Sequence, residues 1–67
     1  MLKIRQERLR RGWSLADVTV KTGIAESNLS MIERGVIPLY KGWRDKLARA
    51  YKMKSDVLFS EVEDDER

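Results

Sequence analysis

Residues 15–34, LADVTVKTGIAESNLSMIER, constrain the fold more than any other stretch. Read as helix, tight turn, helix, every residue in it acquires a place. Val18 lies on the inner face of the first helix. Thr22 and Gly23 end that helix, because glycine enters the left-handed backbone region without steric cost. Ile24 plugs the corner. Leu29 and Ile32, three residues apart, share one face of the second helix. Between these anchors the second helix carries Glu26, Ser27, Asn28, Ser30 and Met31. None of the five builds a core easily, and several bear hydrogen-bonding groups.

Groups of that kind on an exposed helix are what base edges in a major groove require. The spacing V-x4-G-I-x4-L-x2-I, followed by E-R-G, resembles the Cro-type (Xre-like) phage repressor helix-turn-helix family. The resemblance covers residues 4–59, nearly the whole chain. It implies an all-α, compact five-helix lambda-repressor-like domain whose helix-turn-helix is formed by helices 2 and 3. It also implies a sequence-specific regulator that binds double-stranded DNA as a homodimer on a partly palindromic operator. Two positions depart from the family pattern. Many relatives carry glutamine where this chain has Leu15, and most carry alanine where it has Thr19. The Thr19 hydroxyl is expected to bond back to the Leu15 carbonyl.

Composition narrows the alternatives. Sixty-seven residues make one domain, read here as residues 1–62 followed by an acidic, frayed tail over residues 63–67. A core this small rarely supplies more than roughly 3–5 kcal/mol, so dimerisation or well-packed helices would help. Cysteine and histidine are both absent, which removes disulfides, thiolate metal sites and the commonest general base. No catalytic residue, cofactor, metal or small-molecule substrate is expected. No apolar run is long enough to span a membrane, and the N-terminus, with Lys3, Arg5 and Arg8 and no apolar run, is not expected to be a signal peptide. A cytoplasmic location follows by default.

Charge is placed unevenly. The chain carries +3, but residues 61–67 hold five acids and one base. The first sixty residues therefore carry +7, from 13 bases and 6 acids. A basic globule suits a polyanionic partner.

The first helix is expected over residues 1–11, with Leu2, Leu9 and Trp13 on one face and Ile4 close by. By the family resemblance, Arg8 pairs with Glu33 and joins helix 1 to helix 3. Ser14 caps helix 2 in a short capping box with Asp17, while Trp13 and Val18 are spaced as a hydrophobic staple.

The second helix of the motif begins near Ala25. Carried over by position, Glu26, Ser27 and Met31 face base edges, with Asn28 and Ser30 flanking them. Glu26 can accept from cytosine N4, and Met31 can lie against a thymine methyl. Glu26 has a second reading, as a solvated residue repelled by phosphate. Phosphate contacts are assigned to Ser14 and Leu15 through their backbone, and to Lys21, Arg34, Lys41 and Arg44.

Residues 36–39 form an apolar loop that packs on the core or on a second subunit. Helix 4 is expected over residues 40–51, with Trp43, Leu47, Ala50 and Tyr51 in one stripe. Trp43 is core filler or dimer anchor. A short fifth helix begins at Lys54 or Ser55. Val57, Phe59 and Val62 are read as the dimer seam, or else as closure of a small core. Two functional classes remain open: the DNA-binding regulator, and a protein-interaction module whose DNA face is vestigial.

Overall fold

The computed structural model describes residues 1–63, which form five helices: α1 Lys3–Arg10, α2 Leu15–Thr22, α3 Glu26–Arg34, α4 Lys41–Tyr51 and α5 Ser55–Leu58. The all-α architecture is the one expected. Residues 64–67, most of the tail expected to fray, lie outside the described residues. Ile4, Val18, Ile24, Leu29, Ile32, Leu47, Tyr51 and Leu58 form the core. Every helix contributes to it, and Ile24 adds the corner between α2 and α3.

Helix α1 departs from expectation in extent and in face. Leu2 is its N-cap, in extended conformation, and pairs with Glu61 in an isolated antiparallel bridge. The Lys3 N–H donates to the Ser60 carbonyl at 2.8 Å, and the Val62 N–H to the Met1 carbonyl at 2.8 Å. Residues 1 and 2 are therefore strand-like partners of the C-terminal segment rather than a first helical turn. Ile4 is buried, whereas Leu9 is 51% exposed, so Leu9 is not part of the inner face. At a period of 3.6 residues the inner stripe runs through Ile4, Glu7, Arg8 and Arg11.

That stripe is charged, and its charges are paired. Glu7 is buried. It accepts from Arg10 Nη2 at 2.7 Å and Nε at 3.2 Å, and from Arg11 Nε at 3.2 Å. Hydrogen bonding by Arg10 outweighs burial and lowers the Glu7 carboxyl to about 2, with Arg11 adding to the effect. Arg11 also donates to the Tyr51 carbonyl at 2.9 Å, tying α1 to the end of α4. Its guanidinium lies 5.1 Å from the ring centroids of both Trp13 and Tyr51.

Arg8 and Glu33 meet in a two-pronged pair. Arg8 Nε donates to Glu33 Oε2 at 2.7 Å, and Nη2 donates to Oε1 at 3.1 Å. The remaining guanidinium nitrogen, Nη1, donates to the Trp13 carbonyl at 3.0 Å. One side chain thus fixes α1, the α1–α2 link and α3. Both partners are largely withdrawn from solvent, with side-chain exposures of 11% and 5%.

The α4 stripe is Trp43, Leu47, Ala50 and Tyr51, with Leu47 and Tyr51 buried and the other two half-buried. Tyr40 caps this helix rather than opening it. Trp43 packs on the core and meets Tyr40 edge-on at 5.1 Å. In the preceding loop, Ile37 and Leu39 pack on the core, while Val36 stays exposed. Leu58 and Phe59 close the bundle from α5. The Tyr51 hydroxyl is buried without a partner among the described residues, and burial pushes it up to about 12.

Two outcomes follow for stability. Glu33→Gln leaves a buried guanidinium uncompensated, and is expected to cost about 3 kcal/mol in urea unfolding. The apolar double variant Arg8→Met/Glu33→Leu is expected to lose less than the single one. Glu7 is held below its ordinary value of 4.5 in the folded state, so its contribution is full above that pH. The contribution fades as pH falls toward about 2. The stability gap between wild type and Glu7→Gln should accordingly close across that acid window.

Candidate nucleic-acid interface

The site begins with a turn held by hydrogen bonds from its own backbone and from two threonines. Gly23 holds φ at 78°, in the left-handed region, and its N–H donates to the Thr19 carbonyl at 2.7 Å. The Thr22 hydroxyl donates to the Val18 carbonyl at 2.7 Å and accepts from the Ile24 N–H at 3.2 Å. The Thr19 hydroxyl donates forward to the Ile24 carbonyl at 2.7 Å, not back to Leu15 as expected. The turn swings the Ile24 carbonyl over the end of α2, where that hydroxyl reaches it. Two threonines therefore brace the corner that sets α3 against α2.

Helix α3 is buried along one side by Leu29, Ile32 and Glu33. At 100° per residue, the opposite side presents Ser27, Ser30, Met31 and Arg34. Glu26 and Asn28 border this stripe on its two edges. Glu26 and Ser27 are exposed, while Asn28, Ser30 and Met31 are half-buried. Arg34 stands seven residues from Ser27 and so shares its line. Sequence reasoning assigned Arg34 only to phosphate; counting turns from Ser27 was the signal that puts it on the outer stripe. No side chain caps the start of α3, and Glu26 supplies a negative charge to its first turn.

The start of α2 lies beside this stripe. Ser14 accepts from the Asp17 N–H at 3.0 Å, and Asp17 Oδ2 accepts from the Ser14 N–H at 2.8 Å. Hydrogen bonding from the Ser14 backbone N–H, and then from its side chain, holds the Asp17 carboxyl below the usual carboxylate range, helped by the charge of Lys21. The Ser14 N–H assigned to phosphate is thus already engaged. The donors of the first turn left without a partner among the described residues are those of Leu15 and Ala16. Leu15 itself is half-buried and packs on the core.

The cations divide by engagement. Lys21 Nζ lies 4.6 Å from the Trp13 ring centroid, a cation–π contact that draws it to α2's own neighbour. Lys41 pairs with Asp45 at 3.0 Å on an exposed turn of α4. Such a pair is worth little and exchanges readily. Arg44 is exposed and has no partner among the described residues. Val57 is exposed, whereas Phe59 and Val62 are half-buried. Among the described residues, no helix is long and apolar enough to cross a membrane.

A rigid helix backed by apolar and ion-paired contacts, with a hydroxyl, thioether and guanidinium front and cations alongside, suits a grooved polyanion. Comparison with protein families gives a match over residues 2–62, to the family described as helix-turn-helix domain. No curated protein and no solved structure matches the chain.

Proposed function

The chain belongs to the helix-turn-helix domain family, of the Cro-like (Xre) type, and on that premise we propose that it is a sequence-specific regulator of transcription acting on double-stranded DNA. The observation that carries the reading is the outward stripe of α3, clear of the core and braced from behind by Leu29, Ile32 and the Arg8–Glu33 pair. In this reading α3 enters the major groove. Ser27, Ser30 and Met31 meet base edges, with Glu26 and Asn28 at the borders. Lys41 and Arg44 hold phosphates from one side, and the free donors of Leu15 and Ala16 from the other. Ser14 acts there through its cap rather than as a donor. Lys21 joins them only by leaving Trp13. Arg34 reaches either a phosphate or a guanine edge.

The acting form is proposed to be a homodimer that sets two α3 helices in successive major grooves, about 34 Å apart, on a partly palindromic site. Val57 is the exposed member of the proposed seam, and Phe59 and Val62 extend it from partly buried positions. The cytoplasm is its proposed place of action, and no catalysis is assigned. A second reading, a protein-interaction module, is favoured by Val20 at 87%, Val36 at 60% and Tyr40 at 58% exposure.

Titration against random-sequence duplex at two salt concentrations, followed by selection of bound sequences, tests the first reading. Affinity is expected to fall steeply with salt, and a palindrome to be enriched. Lys41→Ala/Arg44→Ala should weaken binding alike on all sequences and reduce the salt slope by about 2. Ser27→Ala should instead change the selected sequence. If the duplex is not bound at low salt, the DNA reading fails.

A further inference from the structure

A groove of about 750 Å³ runs between the start of α1, the head of α2 and the second half of α3. Arg5, Arg8, Leu15, Ser30 and Arg34 are among the residues that line it. Leu15, Ser30 and Arg34 also belong to the proposed duplex-facing surface, so the groove is continuous with that surface. The pair that braces α3 brings Arg5 to the same place. Arg8 and Glu33 lock α1 to the end of α3. Arg5 stands three residues before Arg8, on the neighbouring turn of α1, and Arg34 directly follows Glu33. Two guanidinium groups from different helices therefore line one groove.

The third guanidinium, that of Arg8, has all its nitrogens engaged, two on Glu33 and one on the Trp13 carbonyl. The other two are free to act. Arg5 has no hydrogen-bond or ion-pair partner among the described residues. Arg34 makes one long bond, 3.4 Å, from Nε to the Ser30 carbonyl of its own helix. Both are exposed. The carboxylates that line the groove, Glu33 and Glu61, are turned to other cations: Glu33 to Arg8, and Glu61 to the amino group of Met1 at 3.6 Å. Two like charges held in one groove with no carboxylate paired to either repel each other, and an anion between them relieves that repulsion. A phosphate suits them best, since its oxygens match the guanidinium fork.

We infer that Arg5 is a phosphate-holding residue of the duplex interface, gripping a phosphodiester in this groove together with Arg34. The inference rests on the DNA reading above and extends its footprint from the helix-turn-helix to α1. Lys41 and Arg44 hold the backbone from α4, and Arg5 holds it from α1. Such a contact fixes the orientation of α3 without reading sequence. The buried Arg8–Glu33 pair then has a second task, because it sets the distance between Arg5 and Arg34.

The test measures duplex affinity across a salt series for wild type, Arg5→Gln, Arg5→Lys and Arg49→Gln. Arg49 is exposed on α4 and lies outside the groove, so its substitution removes the same charge from elsewhere. Arg5→Gln is expected to lower the salt slope by about 1 and to weaken binding roughly threefold to tenfold at about 0.1 M salt, alike on selected and random duplex. Arg5→Lys should keep the slope, since a point charge still neutralises a phosphate. Arg49→Gln should keep it too. Urea midpoints of wild type and Arg5→Gln should coincide, because Arg5 has no internal partner to lose. An unchanged slope in Arg5→Gln, an equal loss in Arg49→Gln, or a lowered urea midpoint in Arg5→Gln would each overturn the assignment and leave the DNA reading standing. Failure of the wild type to bind duplex at low salt would overturn the DNA reading, and the role of Arg5 with it.

Discussion

The two-pronged pair between Arg8 and Glu33 is the interaction on which the arrangement of this bundle depends. Parallel N–H···O bonds between a guanidinium and a carboxylate fix direction as well as distance. With its third nitrogen on the Trp13 carbonyl, Arg8 holds three parts of the chain in one register. A buried pair of this kind is weak evidence of net stability, because desolvation offsets much of the attraction. What it supplies is position. The inner face of α1 would otherwise have little to pack, since Ile4 is its only core residue. The charged stripe of Glu7, Arg8 and Arg11 replaces apolar contact with directed contact, and Arg11 extends it to the end of α4.

The other end of α3 is set by different means. There the threonines at positions 19 and 22 bind the two sides of the turn around Gly23, and Ile24 fills the corner. A short helix held at its start by hydroxyls, at its middle by Leu29 and Ile32, and at its end by an ion pair has little freedom to tilt. That matters for a helix expected to present side chains to a partner, since misplacement by one ångström breaks a hydrogen bond. The motif's outer residues need no special conformation of their own; the inner ones impose it.

Much of this was legible in the sequence. Val18, Gly23, Ile24, Leu29 and Ile32 sit where helical period and left-handed glycine require them, so the two helices and their turn followed from local rules. The capping box of Ser14 and Asp17 did too. Apolar periodicity misplaces the inner face of α1, because Leu9 is exposed and the stripe that turns inward is charged. The pairing of Leu2 with Glu61 left no local trace, because a single bridge between distant residues has neither an alternating pattern nor a turn. Local rules point the Thr19 hydroxyl back along its helix, because a carbonyl five residues ahead enters reach only once the turn has formed. Among the candidate site residues, the outer stripe of α3 could be found by subtracting the buried positions. The engagement of Lys21 and Lys41 depends on side-chain placement and could not.

Helix α3 has nine residues. At 1.5 Å per residue it is about 13 Å long. Base pairs stack about 3.4 Å apart, so a rod of that length, laid along a groove, passes about four of them. Four letters recur by chance every few hundred base pairs. For a protein that reads with this rod alone, the second copy proposed above would square the rarity of the combined word.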